Sequence, residues 1–205
     1  MLVEAQRADD AFDVDLVFTR ADLQDVVPHD NDPVVILIVT ARRKVHRVLV
    51  DQGSSTDVMF WTTFNKLHFS PDMLRPYTGC LYGFAGDEVE VRVHLELMNT
   101  FTDGTVSRTE NMRYLVVNAP SAYNMLLGRP TLNRMEAVSS TRHMKMKLPD
   151  LAGKVITIKS DQKEAKRCYE NCNISCNSCV SFSLFLLCQS WTQLLPPQEE
   201  SNPEQ

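Results

Sequence analysis

An apolar run that delivers a carboxylate directly into a turn constrains this chain most. The run reads Val48-Leu49-Val50-Asp51-Gln52-Gly53-Ser54-Ser55. A carboxylate seldom ends a buried strand without a partner or a task, because a lone buried charge costs several kcal/mol. Asp51 therefore either opens a turn, a common role for Asp, or carries chemistry. Segments elsewhere in the chain decide between the two.

The composition is that of a soluble globular protein, with 43% apolar and 23% charged residues among 205. A net charge of -5 argues against a broad nucleic-acid surface. The basic stretch 41–44 fits a solvated hairpin tip. No signal peptide is evident, and the apolar run Val180–Cys188 is too short to span a bilayer. We expect an intracellular protein of the cytoplasm, without membrane contact or direct nucleic-acid binding.

Short β-branched and alternating segments predict an all-β fold. The predicted strands are Val34–Val39, Val45–Val50, Glu88–Leu97, Met112–Val117, His143–Leu148 and Lys154–Lys159. The first two form a hairpin with the basic tip, and Asp103-Gly104 marks a second hairpin turn. His94 falls on the polar, solvated face of the cleanest strand. One or two short helices are expected, over Asp57–Leu67 and after Pro130.

The composition divides the chain into three parts. Residues 1–17 are a polar, acidic linker. Residues 18–159 hold the strand and turn signals, which are typical of a closed barrel or a sandwich. Residues 160–205 are expected to form a Cys-rich, disordered tail, although Asp161–Tyr169 has some helical character.

Three segments come one after another in an informative order. The Asp51 run comes first, the glycine-bracketed turn Gly83-Phe84-Ala85-Gly86-Asp87 comes about thirty residues later, and an apolar-apolar-Gly segment comes last. The last segment lies in Pro120-Ser121-Ala122-Tyr123-Asn124-Met125-Leu126-Leu127-Gly128-Arg129-Pro130-Thr131-Leu132. The set resembles the retropepsin family of aspartic proteases. More closely, Val34–Pro149 resembles the protease segment of plant gypsy-type LTR retrotransposon Gag-Pol polyproteins, and Asp161–Tyr169 is similar to the segment immediately after the protease in those polyproteins.

The resemblance implies a retropepsin-like (acid protease) closed barrel with a flap hairpin. It makes Asp51 catalytic, in an active-site loop with Gln52, Gly53 and Ser54. The Ser54 hydroxyl would donate to the outer carboxylate oxygen. The flap would comprise Gly83, Phe84, Ala85 and Gly86. The segment Leu126, Leu127, Gly128 and Arg129 would support the site.

The chemistry implied by the resemblance needs two carboxylates. A pair a few ångström apart shares one proton, so one member acts as base on a water and the other as acid toward the peptide carbonyl. The sequence holds one Asp in this setting, because Asp103-Gly104 lacks a preceding apolar strand. The dyad must therefore come from two chains of a homodimer. No cofactor is required, and the substrate would be a polypeptide, including the chain's own precursor.

Gln52 departs from the family, which has Thr or Ser at this position. Two longer amide side chains at a tight two-fold contact would crowd, or would leave buried polar groups unpaired at about 1–3 kcal/mol each. The alternative function is therefore an inactive remnant of the fold that dimerises or binds peptides.

Five of the six cysteines crowd the C-terminal stretch, which is not a disulfide framework. Cys168, Cys172, Cys176 and Cys179 could supply four thiolates to zinc. No His lies nearby, and the spacing lacks C-x2-C pairs on both sides. We therefore expect reactive thiols in a tail rather than a metal site.

Overall fold

A computed structural model describes residues 14–82, 88–91 and 93–175. The strands are β1 (Val35–Thr40), β2 (Arg43–Val50), β3 (Val58–Phe60), β4 (Arg75–Pro76), β5 (Cys80–Tyr82), β6 (Glu88–Glu90), β7 (Val93–Thr102), β8 (Ser107–Val117), β9 (Met125–Leu127), β10 (Val138–Ser140), β11 (Lys145–Pro149) and β12 (Val155–Lys159). The helices are α1 (Trp61–Lys66), α2 (Arg129–Arg134) and α3 (Gln162–Ser175), with 3-10 turns at Arg20–Leu23 and Pro71–Met73.

Six strands close into a barrel in the order β1-β2-β9-β3-β8-β7, because β7 also pairs with β1. Strand β4 extends the sheet beyond β7. Strands β5 and β6 pair with each other, and β10, β11 and β12 form a separate small sheet. The prediction of an all-β closed barrel with few helices is confirmed.

The first hairpin is explained directly by its sequence. Strands β1 and β2 pair antiparallel around Ala41 and Arg42, which both have positive φ angles of 46° and 65°. Two successive positive φ angles suit the right-handed twist of the flanking strands. The predicted basic tip is therefore confirmed, as is the turn at Asp103-Gly104 between β7 and β8.

Alternation along the strands creates two buried faces. Val50 and Leu127 point into the barrel interior, together with residues from all six of its strands. Leu49 and Leu126, one residue earlier in each strand, belong to a second apolar cluster on the outer face. Asp51 continues the same alternation as Leu49, so this carboxylate leaves the strand on the outer side.

Two of the element predictions were wrong. The segment predicted as one helix over Asp57–Leu67 is strand β3 followed by α1, because Val58–Phe60 pairs with both β8 and β9. The strand predicted over Glu88–Leu97 is divided between β6 and β7, which pair with different partners.

The His94 interpretation was also wrong. The ring of His94 packs edge-on against Tyr77, with 6.2 Å between ring centroids. Its Nδ1 is buried and has no hydrogen-bond partner among the described residues. The side chain is therefore partly buried rather than solvated.

The tail expected after residue 159 begins with ordered structure. Helix α3 packs on β1 and β2 and buries Ala165 and Cys168 in the outer apolar cluster. Its start is held where the Asp161 N–H donates to the Val35 carbonyl at 2.8 Å. The prediction of disorder was wrong for Gln162–Ser175, because the outer face of the barrel gives this helix a surface to cover. Residues 176–205 lie outside the described part of the chain.

Residues 18–22, near the start of the described chain, contact the small sheet. Lys147 Nζ lies 2.9 Å from the Asp22 carboxylate and 4.9 Å from the Phe18 ring centroid. Hydrogen bonds from the Thr19 N–H and from Lys147 lower the pKa of Asp22 to about 2. Among the described residues, no helix is long and apolar enough to cross a membrane.

Candidate active site

The segment 51–57, called here the Asp51 loop, begins where β2 ends beside the parallel strand β9 and runs to the start of β3. The Asp51 N–H donates to the Leu127 carbonyl at 2.9 Å. Further along the two segments, the Arg129 N–H donates to the Ser54 carbonyl at 3.0 Å. The structure therefore brings together two of the segments that the sequence singled out, the loop after Asp51 and the segment Leu126–Arg129.

The Asp51 carboxylate is half-buried at this junction. Burial raises its pKa, whereas hydrogen bonds from the Gly53 and Ser54 N–H groups and the charge of Arg129 lower it. The Gly53 N–H lies 2.9 Å from Oδ1. Because burial is the strongest of these influences, Asp51 holds a proton to higher pH than an exposed Asp does.

Gly53 and Gly128 are required by close approach. A Cβ at Gly53 would lie 3.1 Å from Asp51 Oδ1 and would crowd the carboxylate. A Cβ at Gly128 would collide with the Thr56 carbonyl oxygen and would lie 2.9 Å from the Ser54 carbonyl oxygen. Backbone cannot yield as a flexible side chain does, so only glycine fits at Gly128.

The Ser54 hydroxyl does not bond the carboxylate as the resemblance implied. Its Oγ donates to the Thr56 carbonyl at 2.8 Å, within the same loop. The side chain is buried, at 7% exposure, and stiffens the turn.

Asp57 is the site residue that the sequence interpretation missed. This carboxyl is 3% exposed, and its Oδ1 accepts the Gly128 N–H at 2.7 Å. Burial raises its pKa to about 6, although hydrogen bonds from Gly128 and Thr131 and the charge of Arg134 lower it. A second Asp just before an apolar triplet was the available signal. It was assigned instead to the first turn of a predicted helix.

Gln52 is exposed and turns toward the small sheet. Its Nε2 donates to Ser139 Oγ at 2.9 Å and approaches the Ser139 carbonyl at 3.3 Å. Both acceptors belong to strand β10 of the same chain. The amide therefore has partners within the single chain.

The flap prediction concerns residues 83–86, which lie outside the described residues. The two arms that lead to them are described. Strands β5 and β6 pair antiparallel, with Tyr82 opposite Glu88. Five residues, 83–87, separate the two arms, and the flap itself stays a prediction.

The cysteines give no described metal site. Cys168 is buried, and its Sγ lies 3.5 Å from the Ala122 carbonyl oxygen. Within residues 14–82, 88–91 and 93–175, no three His, Cys, Asp or Glu side chains are grouped as metal ligands would be. Cys176 and Cys179 lie beyond that part of the chain.

No family model and no curated protein matches the sequence. Three solved structures are similar to this chain. The retroviral protease-like domain of Ddi1 from Leishmania major is 10% identical, with a TM-score of 0.47 over 65% of this chain and 94% of that chain. The EIAV protease complexed with the inhibitor HBY-793 is 23% identical, with a TM-score of 0.42 over 56% of this chain and 99% of that chain.

The third is a retropepsin-like aspartic protease from Rickettsia conorii, which is 14% identical, with a TM-score of 0.38 over 60% of this chain and 78% of that chain. All three TM-scores are below 0.5. The fold described above therefore rests on the strand order and hydrogen bonds of this chain itself.

Proposed function

We propose that this chain is an aspartic endopeptidase of the retropepsin type, derived from a plant gypsy-type LTR retrotransposon Gag-Pol polyprotein. The observation that carries the proposal is the Asp51 carboxylate, half-buried at a strand end in a loop fixed by backbone bonds to Leu127 and Arg129. The origin is supported by the resemblance of the Asp51 run and of the segment around Leu126–Gly128.

The chemistry depends on pairing Asp51 with its copy. Burial already raises the pKa of Asp51 within one chain. A second carboxylate nearby would raise one pKa of the pair further, so the dyad would hold one proton. The ionised member takes a proton from water, and the protonated member donates toward the peptide carbonyl oxygen. The enzyme would work without cofactor, in the cytoplasm, at acidic to mildly acidic pH.

The partner would be a second copy of the chain. Strand β10 is an edge strand of the small sheet and lies beside the loop through the bond from Gln52 to Ser139. Val138 on this strand is 44% exposed. Among the described residues no strand pairs with its outer edge, and a sheet edge with exposed apolar surface is suited to pairing across a two-fold axis.

The test is cleavage of an unstructured Gag-type polypeptide between pH 4 and pH 7, at several protein concentrations. The wild type should cut with a specific activity that rises with concentration, because the site needs two chains. Asp51→Asn should abolish cleavage. Asp25→Asn is the matched control, because Asp25 is exposed and has a positive φ angle of 68° that Asn tolerates. Equal cleavage by wild type and Asp51→Asn refutes the proposal.

The same assay decides the alternative of a non-catalytic remnant. A wild type that is silent under all conditions, and that cuts once Gln52→Thr is introduced, would assign the alternative to the natural chain. Dimerisation is then read separately, by sedimentation of both proteins.

A further inference from the structure

Helix α2 lacks a capping side chain of its own. Its N-cap residue is Gly128, which offers no side-chain acceptor to the first turn. The N–H groups of a first turn have no partner within the helix, so they need another acceptor when they are buried. Asp57, remote in sequence, fills this position: its Oδ1 accepts the Gly128 N–H at 2.7 Å, and its carboxylate also faces the backbone N–H of Thr131 in the first turn.

This cap also closes the Asp51 loop. The Leu127 carbonyl and the Arg129 N–H bind the loop near its start and middle. Asp57 binds the loop's far end to Gly128, the residue between them. Of these three bonds, only the one that Asp57 accepts involves a side chain that can titrate.

The surroundings allow the buried Asp57 carboxyl to bind and release a proton. A cleft of about 520 Å³ reaches Asp57 and is also lined by Glu96, Arg113 and Arg134. Glu96 and Arg113 face one another at 3.4 Å, so their charges largely offset. The Tyr114 hydroxyl has a pKa well above 10 and stays neutral.

We propose that Asp57 is a positioning residue whose protonation latches helix α2 to the Asp51 loop. Neutral Asp57 keeps an acceptor for the Gly128 N–H and carries no buried charge. Ionised Asp57 gains hydration when the latch opens into the cleft. The closed state of the latch is therefore most stable in acid. The proposal depends on the proposed function only for the catalytic role of the neighbouring Asp51.

The size of the effect is set by the two pKa values of Asp57. The value is about 6 when the latch is closed and 3.8 when Asp57 is hydrated. Linkage then makes the closed state about tenfold more favoured over the open one at pH 5.0 than at pH 7.5.

The test is hydrogen exchange at the Gly128 and Thr131 amides of the full chain, corrected for intrinsic exchange rates. Wild-type protection should rise about tenfold from pH 7.5 to pH 5.0. Asp57→Asn should show no such rise, since it keeps the acceptor and cannot titrate. Asp51→Asn should keep the rise, because its carboxylate is not the latch.

Two results would overturn the latch. One is equal wild-type protection at both pH values. The other is a rise that survives in Asp57→Asn. If Asp57→Asn does not fold, the wild-type Gly128 amide shift should still titrate with a midpoint near pH 6, and a flat shift refutes the proposal. Because exchange needs no catalysis, a protein that fails to cut while keeping the tenfold rise would refute the protease function and not the latch.

Discussion

Asp57→Asn should remove a defined part of the pH dependence of global stability. The pKa of Asp57 is raised by burial from 3.8 to about 6 in the folded chain. The folded state therefore binds this proton more tightly than the unfolded state does. The stability contributed by the proton is complete below pH 3.8 and is lost as pH rises through about 6. Asn carries no titrating proton, so it lacks this dependence.

The magnitude is worked from the same two values. From pH 7.5 to pH 5.0, the shift contributes about 1.4 kcal/mol of added stability, and by pH 4.0 about 2.4 kcal/mol. Asp57 is only 3% exposed, so solvent screening takes little from this figure. Asp22 and Asp103, whose pKa values are lowered to about 2, stay ionised down to pH 5.0 in the folded chain.

The assay is urea unfolding of wild type and Asp57→Asn at pH 7.5 and pH 5.0. Subtracting one protein from the other cancels every group they share, including Asp51. The wild type should gain about 1.4 kcal/mol more than the variant on acidification. Asp25→Asn, which alters an exposed carboxyl, should match the wild type. Parallel pH profiles for wild type and Asp57→Asn would refute the buried-charge reasoning.

Two further substitutions test the packing. Gly128→Ala should destabilise the fold by about 2–5 kcal/mol in urea unfolding, because its Cβ meets the Thr56 carbonyl and forces hydrogen bonds apart. The control Arg129→Ala keeps the neighbouring N–H, so its free energy of unfolding should stay within about 0.5 kcal/mol of the wild type. Equal losses of stability in the two variants would contradict the close-approach argument. Ala165→Glu should lower the free energy of unfolding by about 2–3 kcal/mol by undocking α3, since the residue is fully buried. Lys166→Glu, on the exposed side of the helix, should leave the stability nearly unchanged. An unchanged stability in Ala165→Glu would show that the helix does not pack on the barrel.

Local patterns were enough to predict the elements that frame the site. The β1–β2 hairpin is predicted by two apolar runs around a polar tip. The segment before Gly128 stands out as a short apolar run stopped by glycine and proline, and the structure forms β9 from it. Each of these signals lies within a few neighbouring residues. The place of Asp51 at the end of a buried strand was predictable for the same reason.

Long-range pairing decided the features that the sequence interpretation missed. Val58–Phe60 sits in a helix-like pattern with Trp61 and Phe64, yet hydrogen bonds to β8 and β9 make it a strand. Asp57 gains its role from Gly128, which is 71 residues away. Helix α3 has a polar sequence, and it is held by two small buried residues on a surface that exists only once the barrel has closed.

The central claim is that two Asp51 carboxylates from two chains form one site. The most direct measurement mixes wild type with Asp51→Asn under conditions that exchange subunits, at a fixed total concentration above the dimer dissociation constant. If each site needs both carboxylates, an equal mixture keeps about a quarter of the wild-type cleavage rate, because only wild-type pairs are active. A rate of about a half would mean that each chain cuts by itself, and it would contradict the two-chain site.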